Sequence, residues 1–189
     1  MIIYRYATLD DAEPLAALHV AAWRETYVGT QLEPLLASMS VEERAARWRR
    51  ILAMRPDDPG SRGHKVLLAC EGDGLVGFSS CGQQRLPEIY ALGFPAEFSA
   101  IYVLKCAQGR GIGRGLMVRM SQALMRDGFS SANVLVIQDN PRARGFYEYL
   151  GGAFLRERPM EERGIAFTEI VYGWRDLSVL SLASNSAAT

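Results

Sequence analysis

The chain has 189 residues, 49% of them hydrophobic, with 21 basic and 21 acidic side chains and a net charge of zero. That length supports one domain with a full core and no need of disulfide or metal staples. The charge balance leaves no field that would draw the chain to nucleic acid or to an anionic membrane.

Three cysteines, Cys70, Cys81 and Cys106, form an odd set without metal-ligand spacing. Two of them stand in apolar strand-like runs, where a reduced thiol behaves as a small hydrophobe, and a cytoplasmic location is the simplest expectation. Cys106 as an acyl-carrying nucleophile is set aside, because no histidine lies near it in sequence to activate the thiol. No signal peptide is read at the start, and no apolar run approaches the ~20 residues of a membrane span.

In chain order, Ile2 to Tyr6 reads as a first strand, and Thr8-Leu9-Asp10-Asp11 supplies helix-start chemistry. Pro14 belongs in a first turn, so Asp10 or Asp11 is the predicted N-cap, with Leu15, Leu18 and Ala22 as the apolar stripe. Ser40-Val41-Glu42-Glu43 is a capping box that predicts a second helix to about Met54. Between the two, His19, Trp23, Glu25, Tyr27 and Gln31 gather aromatic and polar groups around a Gly29 turn. Trp23 and Tyr27 are candidates for one wall of an acceptor pocket; the competing reading has Trp23 in the core and the others solvated.

Arg55 to Gly63 is a predicted surface loop, and Gly72-Asp73-Gly74 between Lys65–Cys70 and Leu75–Gln83 predicts a hairpin. Arg85 to Pro95 carries Pro87, Gly93 and Pro95 with Ile89, Tyr90 and Phe94. It reads as a loop that either packs on the domain edge or forms a lid, facing the Trp23 segment across the acceptor pocket. Tyr90 and Phe98 complete the candidates for contact with the acceptor.

Glu97 to Leu104 is β-branched and aromatic like a buried strand, and Gln108-Gly109-Arg110-Gly111-Ile112-Gly113 follows directly. Ile112, Leu116, Met117, Met120 and Leu124 then recur at helical spacing up to Asp127, with Gly128 as the terminating left-handed residue. A helix opening at such a turn presents unpaired N–H groups and the positive end of its dipole, which suits an anion. No Lys-Ser or Lys-Thr follows the last glycine, so the turn is not a Walker loop, and it does not follow the domain's first strand as a dinucleotide fingerprint does.

Ala132 to Ile137 reads as a strand parallel to Glu97–Leu104 through a right-handed crossover. Asn140 caps the next helix with Pro141 at its first position, and Ala143, Phe146, Tyr147 and Leu150 line one face. Ala153–Arg156 and Ala166–Trp174 are predicted to close the fold as an antiparallel pair around a Pro159–Gly164 turn. The expectation is a single domain over residues 1–177 and a tail over 178–189, in which Val179, Leu180 and Leu182 suit a homodimer contact.

Ile101-Tyr102-Val103, a short loop and Gln108-x-x-Gly111-x-Gly113 opening a helix resemble the acyl-CoA loop of the GNAT superfamily of acyl-CoA-dependent N-acetyltransferases. Downstream, Asn140, Ala143 and Phe146-Tyr147-Glu148-x-Leu150-Gly151 resemble the Asn-x-x-Ala helix of that family. Lys105 stands where many members have Pro, and Gly152 where many have Phe. The resemblance implies an α/β (α+β) fold with a mixed, mostly antiparallel central sheet, a parallel splayed strand pair and helices on both faces. It implies acetyl-CoA as cosubstrate, held by Ile101, Tyr102, Val103, Gln108, Gly109, Arg110, Gly111, Ile112, Gly113, Arg114, Asn140 and Tyr147, with no metal. It implies Glu97 as general base and Tyr147 as the acid beside the sulfur, for direct acetyl transfer to a primary amine. A non-catalytic acyl-CoA-binding module, or a protein with a mononucleotide at the glycine turn, are the readings that compete.

Overall fold

The computed structural model describes residues 1–54 and 63–182. The predicted loop at Arg55–Gly63 lies outside them, apart from Gly63. Seven strands hydrogen-bond in the order β1-β2-β3-β4-β5-β7-β6. They are β1 (Ile2–Tyr6), β2 (Lys65–Glu71), β3 (Gly74–Gln83), β4 (Ala96–Val103), β5 (Ala132–Ile137), β6 (Ala153–Glu162) and β7 (Ile165–Trp174). The helices are α1 (Ala12–Tyr27), α2 (Glu33–Ala37), α3 (Val41–Ala53), α4 (Pro87–Tyr90), α5 (Ile112–Arg126), α6 (Pro141–Tyr149) and α7 (Ser178–Leu182). The sheet is mixed and mostly antiparallel, with β4 and β5 as its parallel pair.

The chain divides into two compact units, Met1–Ser80 with Ala100–Leu116, and Cys81–Ser99 with Met117 onwards. In the first, β1 runs antiparallel to β2 from Ile2 opposite Glu71 to Tyr6 opposite Leu67. Asp11 flanks the start of α1, but its carboxylate turns back to accept the Thr8 N–H at 2.7 Å and a bidentate pair from Arg5, both at 2.7 Å. The Ser40 hydroxyl caps α3 by accepting the Glu43 N–H at 3.2 Å and donates to Glu42 at 2.7 Å. Leu15, Leu18, Trp48, Leu68 and Phe78 fill this core. Gly77 of β3 lies so close to β4 that a Cβ there would sit 2.9 Å from the Tyr102 carbonyl oxygen.

In the second unit, α5 ends in a Schellman turn. The Phe129 N–H reaches the Leu124 carbonyl and the Gly128 N–H that of Met125, both at 3.0 Å, with Gly128 at φ 88°. β5 pairs with β4 from Ala96 opposite Ala132 to Phe98 opposite Val134, and with β7 along its whole length. The Asn140 side chain accepts the Ala143 N–H at 3.0 Å and so caps α6 as expected.

Three expectations are corrected here. The closing hairpin is longer than predicted, because Pro159 lies within β6 opposite Thr168 and the turn contracts to Arg163-Gly164, both at positive φ. β6 ends the strand order, and an edge strand tolerates a residue that cannot donate to the ladder. Residues 85–95 contain α4, and Ile89 and Phe94 are fully buried beside Val171. The tail begins as α7, and Leu180 is fully covered within this single chain, so its burial needs no second subunit.

Candidate active site

β4 leads into a 3-10 turn at Lys105–Ala107 and then into the glycine turn. The pieces are tied together locally: the Gln108 side-chain amide donates to the Val103 carbonyl at 2.8 Å, and the Ala107 N–H to the Leu104 carbonyl at 2.9 Å. Ala107 and Ile112 are buried anchors, whereas Gly109, Arg110 and Gly111 are exposed. Both glycines have φ 77°, which turns the backbone through a region that side chains resist. The Gly115 N–H closes on the Gly111 carbonyl at 2.9 Å, so the N–H groups before it stand at the open start of α5. Arg110 is bound bidentate by Glu71, with 2.9 Å on one arm, and its charge is answered there. Arg114 sits in the first turn of α5 with its Nε buried.

The strand's own geometry fixes which edge is available. The Leu104 N–H pairs with the Val76 carbonyl of β3 at 3.0 Å, and backbone groups of successive strand residues point to opposite edges. Val103 N–H and C=O therefore face away from β3, as do those of Ile101. The pairing of β5 with β4 ends at Phe98, short of these residues. Val103 offers an outward N–H beside a carbonyl already held by Gln108.

Glu97, the predicted base, is the second residue of β4 and is 2% exposed. Arg85 Nε binds its carboxylate. Beside it, Gln84 donates to Asn133, the residue that stands opposite Glu97 in β5, and accepts the Leu86 N–H at 2.9 Å. The sequence signal for such a partner was a carboxylate between the apolar Ala96 and Phe98, since a buried charge persists only when paired. Arg85, twelve positions upstream, is the half-exposed cation that answers it.

Tyr147 is buried, with ring centroids 6.2 Å from Trp174, 6.3 Å from Tyr172 and 5.3 Å from Phe146. Phe98, a predicted acceptor contact, is buried edge-on against the same Trp174 at 5.7 Å. Tyr90, the other candidate in this unit, is half exposed. The Tyr172 hydroxyl donates to Glu148 at 2.5 Å and accepts from Arg144 at 3.3 Å. Burial pushes its phenol above the usual range, against the pull of Arg144.

In the first unit, Trp23 and Tyr27 meet edge to face at 4.9 Å, and Trp23 lies 6.5 Å from Tyr102 of β4. Tyr27 is buried and Trp23 half-buried. The Glu25 carboxylate accepts the Lys105 N–H at 2.8 Å, tying the last turns of α1 to the start of the 3-10 turn that precedes the glycine turn. Among the described residues no group of three or more His, Cys, Asp or Glu side chains is placed to hold a metal ion, and no helix is long and apolar enough to cross a membrane.

A family model described as an acetyltransferase (GNAT) domain matches residues 38–172. The chain belongs to the GNAT acetyltransferase family. YuaI of Bacillus subtilis (strain 168), named an uncharacterized N-acetyltransferase, is 33% identical over 187 residues, covering 98% of this chain and 99% of YuaI. The PaiA N-acetyltransferase of Thermoplasma acidophilum, solved in complex with coenzyme A, superposes with a TM-score of 0.65 at 19% identity, over 90% of this chain and 98% of that one. YncA of Salmonella typhimurium, solved with its cofactor acetyl-CoA, gives 0.66 at 17% identity over 94% of each chain. Both structures share the fold of this GNAT chain, whose strand, glycine turn and helix stand in the order the family resemblance implied.

Proposed function

We propose that the protein is an acetyl-CoA-dependent N-acetyltransferase that passes the acetyl group directly to a primary amine in a ternary complex. The observation that carries this reading is the edge of β4 at Val103, joined to a glycine turn that opens α5. Extended amide chains bind sheet edges as an added strand does, and pyrophosphates bind helix starts. The pantetheine arm of coenzyme A therefore pairs along Ile101 to Val103, and the pyrophosphate sits on the N–H groups of the glycine turn from Gly109 to Gly113, the Gln108 N–H being held by the Lys105 carbonyl at 3.3 Å. The Val103 N–H then faces the acetyl carbonyl oxygen and stabilises the negative charge it gains during attack.

In the reaction, the neutral amine nitrogen attacks the thioester carbon and the carbon–sulfur bond breaks. The amine loses a proton to a base, and the departing thiolate gains one, giving an amide and free coenzyme A. Tyr147 is assigned the second transfer and Glu97 the first, directly or through water. The Arg85 ion pair favours a second role for Glu97, in which the carboxylate anchors Arg85 and takes no proton. Glu97→Gln separates the two: a base leaves a flattened acidic limb in the pH profile of turnover, an anchor leaves the limb in place and lowers thermal stability.

The test is thiol release from acetyl-CoA across a panel of primary amines, with Glu97→Gln and Tyr147→Phe beside the wild type. General acid or base roles predict losses of roughly 10² to 10⁴ in turnover with acetyl-CoA affinity retained. Losses under tenfold in both variants would remove the assigned roles. Binding of acetyl-CoA with no amine turned over would make the chain an acyl-CoA-binding module.

A further inference from the structure

The anion-binding turn hangs between two fixed points. At one end the Leu104 N–H ties β4 to the Val76 carbonyl of β3 at 3.0 Å, and at the other the Tyr4 hydroxyl donates to the Ile112 carbonyl at 3.5 Å. Between them, Glu71 of β2 binds the side chain of Arg110. Glu25 is different in kind: it reaches from α1, 80 positions away, to a donor of the backbone itself, accepting the Lys105 N–H at 2.8 Å.

Lys105 follows the N-cap Leu104 and is the first residue of the 3-10 turn. An N–H at that position has no acceptor within its own turn. Among the described residues, Glu25 is the partner it has. The backbone here is shaped for a residue without any N–H. Leu104 stands at φ −55° and ψ 143°, the extended region to which a residue before proline is confined. Residues of a 3-10 turn have φ of about −50 to −70°, which includes the value that a proline ring fixes. Proline also suits a first helical position, because the donor it lacks is an orphan there. Lys105, where many family members have Pro, therefore brings a free donor and a looser φ to the entrance of the turn.

We propose that Glu25 is a positioning residue for acetyl-CoA, which caps the Lys105 N–H and so holds the entrance of the Gly109–Gly113 turn in its binding form. It does by a hydrogen bond what a proline at position 105 does by its ring. Glu25 and Lys105 are both exposed, so water replaces the bond when Glu25 is removed, and the fold keeps most of its stability. What is lost is order. A loosened turn must be fixed again each time the pyrophosphate binds, and that entropy is subtracted from the affinity. The charge of the carboxylate works in the opposite sense, since it repels phosphate, so the bond and the charge are separable by substitution. The proposal rests on the acetyl-CoA reading above and does not depend on which amine is turned over.

The test is calorimetric binding of acetyl-CoA to the full chain, with the melting temperature of the ligand-free protein beside it. Glu25→Ala is expected to raise the dissociation constant about fivefold, equivalent to about 1 kcal/mol, with little change in melting temperature. Glu25→Gln keeps an acceptor oxygen without the charge, and should bind at least as tightly as the wild type. In a Lys105→Pro background, Glu25→Ala should have no further effect; in a Lys105→Ala background, which keeps the N–H, it should cost the same fivefold. That dependence on one N–H is what a general structural role does not produce. Should Lys105→Pro fail to fold, the order of Glu25→Gln and Glu25→Ala decides. Unchanged affinity in Glu25→Ala, the same change of affinity in both Glu25 variants, or a fivefold loss that persists with Lys105→Pro overturns the proposal. A wild type that does not bind acetyl-CoA ends the cosubstrate reading and the proposal with it, whereas a wild type that binds, with variants out of this order, overturns the proposal alone.

Discussion

Lowering the pH from about 7.5 to 5 should destabilise the protein by about 2 kcal/mol through His19 alone. The His19 ring is held down to about 3 from an ordinary 6.5, chiefly by burial. In the unfolded chain the same imidazole takes a proton as the pH falls through 6.5, while the folded one stays neutral until about 3. The unfolded state therefore binds more protons over that window, and stability falls steadily with pH inside it. Each unit of the window is worth about 1.36 kcal/mol, so the 1.5 units down to pH 5 give the figure above. The assay is the urea midpoint at the two pH values for the wild type and for His19→Phe. Only the difference between the two slopes matters, because the other histidine, His64, and every carboxylate are common to both proteins. Equal acid sensitivity in wild type and variant would show that His19 is not buried as a neutral ring.

Asp11, which is 6% exposed, is held at a pKa of about 2, first by its hydrogen bond from Arg5. Its contribution is present above the unfolded value of 3.8 and lost as the pH falls towards 2, so Asp11→Asn should cost about 1–2 kcal/mol at neutral pH and little near pH 2 in urea melts. Gly111→Val places a β-branched residue at φ 77° on the exposed turn and should abolish the thermal shift given by acetyl-CoA; an undiminished shift in the folded variant would put the anion elsewhere. Gly77→Ala brings a methyl against the Tyr102 backbone, which cannot swing aside, and should lower stability by about 1–3 kcal/mol in the same urea assay; a neutral result would mean that β3 and β4 separate easily.

What could be read from sequence was what local rules govern. The strand, glycine turn and helix, the Asn140 cap and the Gly128 terminus each depend on residues a few positions apart, and each stands where the pattern put it. The short helices α2 and α4 were not legible, because Pro34 and Pro87 signal a turn and a first helical turn equally well. Pro159 misled in the opposite sense: it ends a central strand but not an edge strand, and only the strand order tells which one β6 is. The Arg85 partner of Glu97 follows from burial, which composition does not give. In the core of the first unit, the ring of His19 meets those of Trp48, Phe78 and Tyr102, from two helices and two strands, and no spacing rule connects the four positions.

The outer strand β6 has a bearing on how copies of this chain meet one another. With a net charge of zero, long-range repulsion does little to keep molecules apart. A ten-residue strand that, among the described residues, is paired on one side only is the kind of surface on which a second chain can lay a strand of its own. Pro159 removes one donor from that surface, the register shift between Phe154 and Arg156 bends it, and Arg156, Glu157, Glu161 and Glu162 charge it. A proline that reads in sequence as an interruption of the strand thus makes its outer edge a poorer template for a second chain.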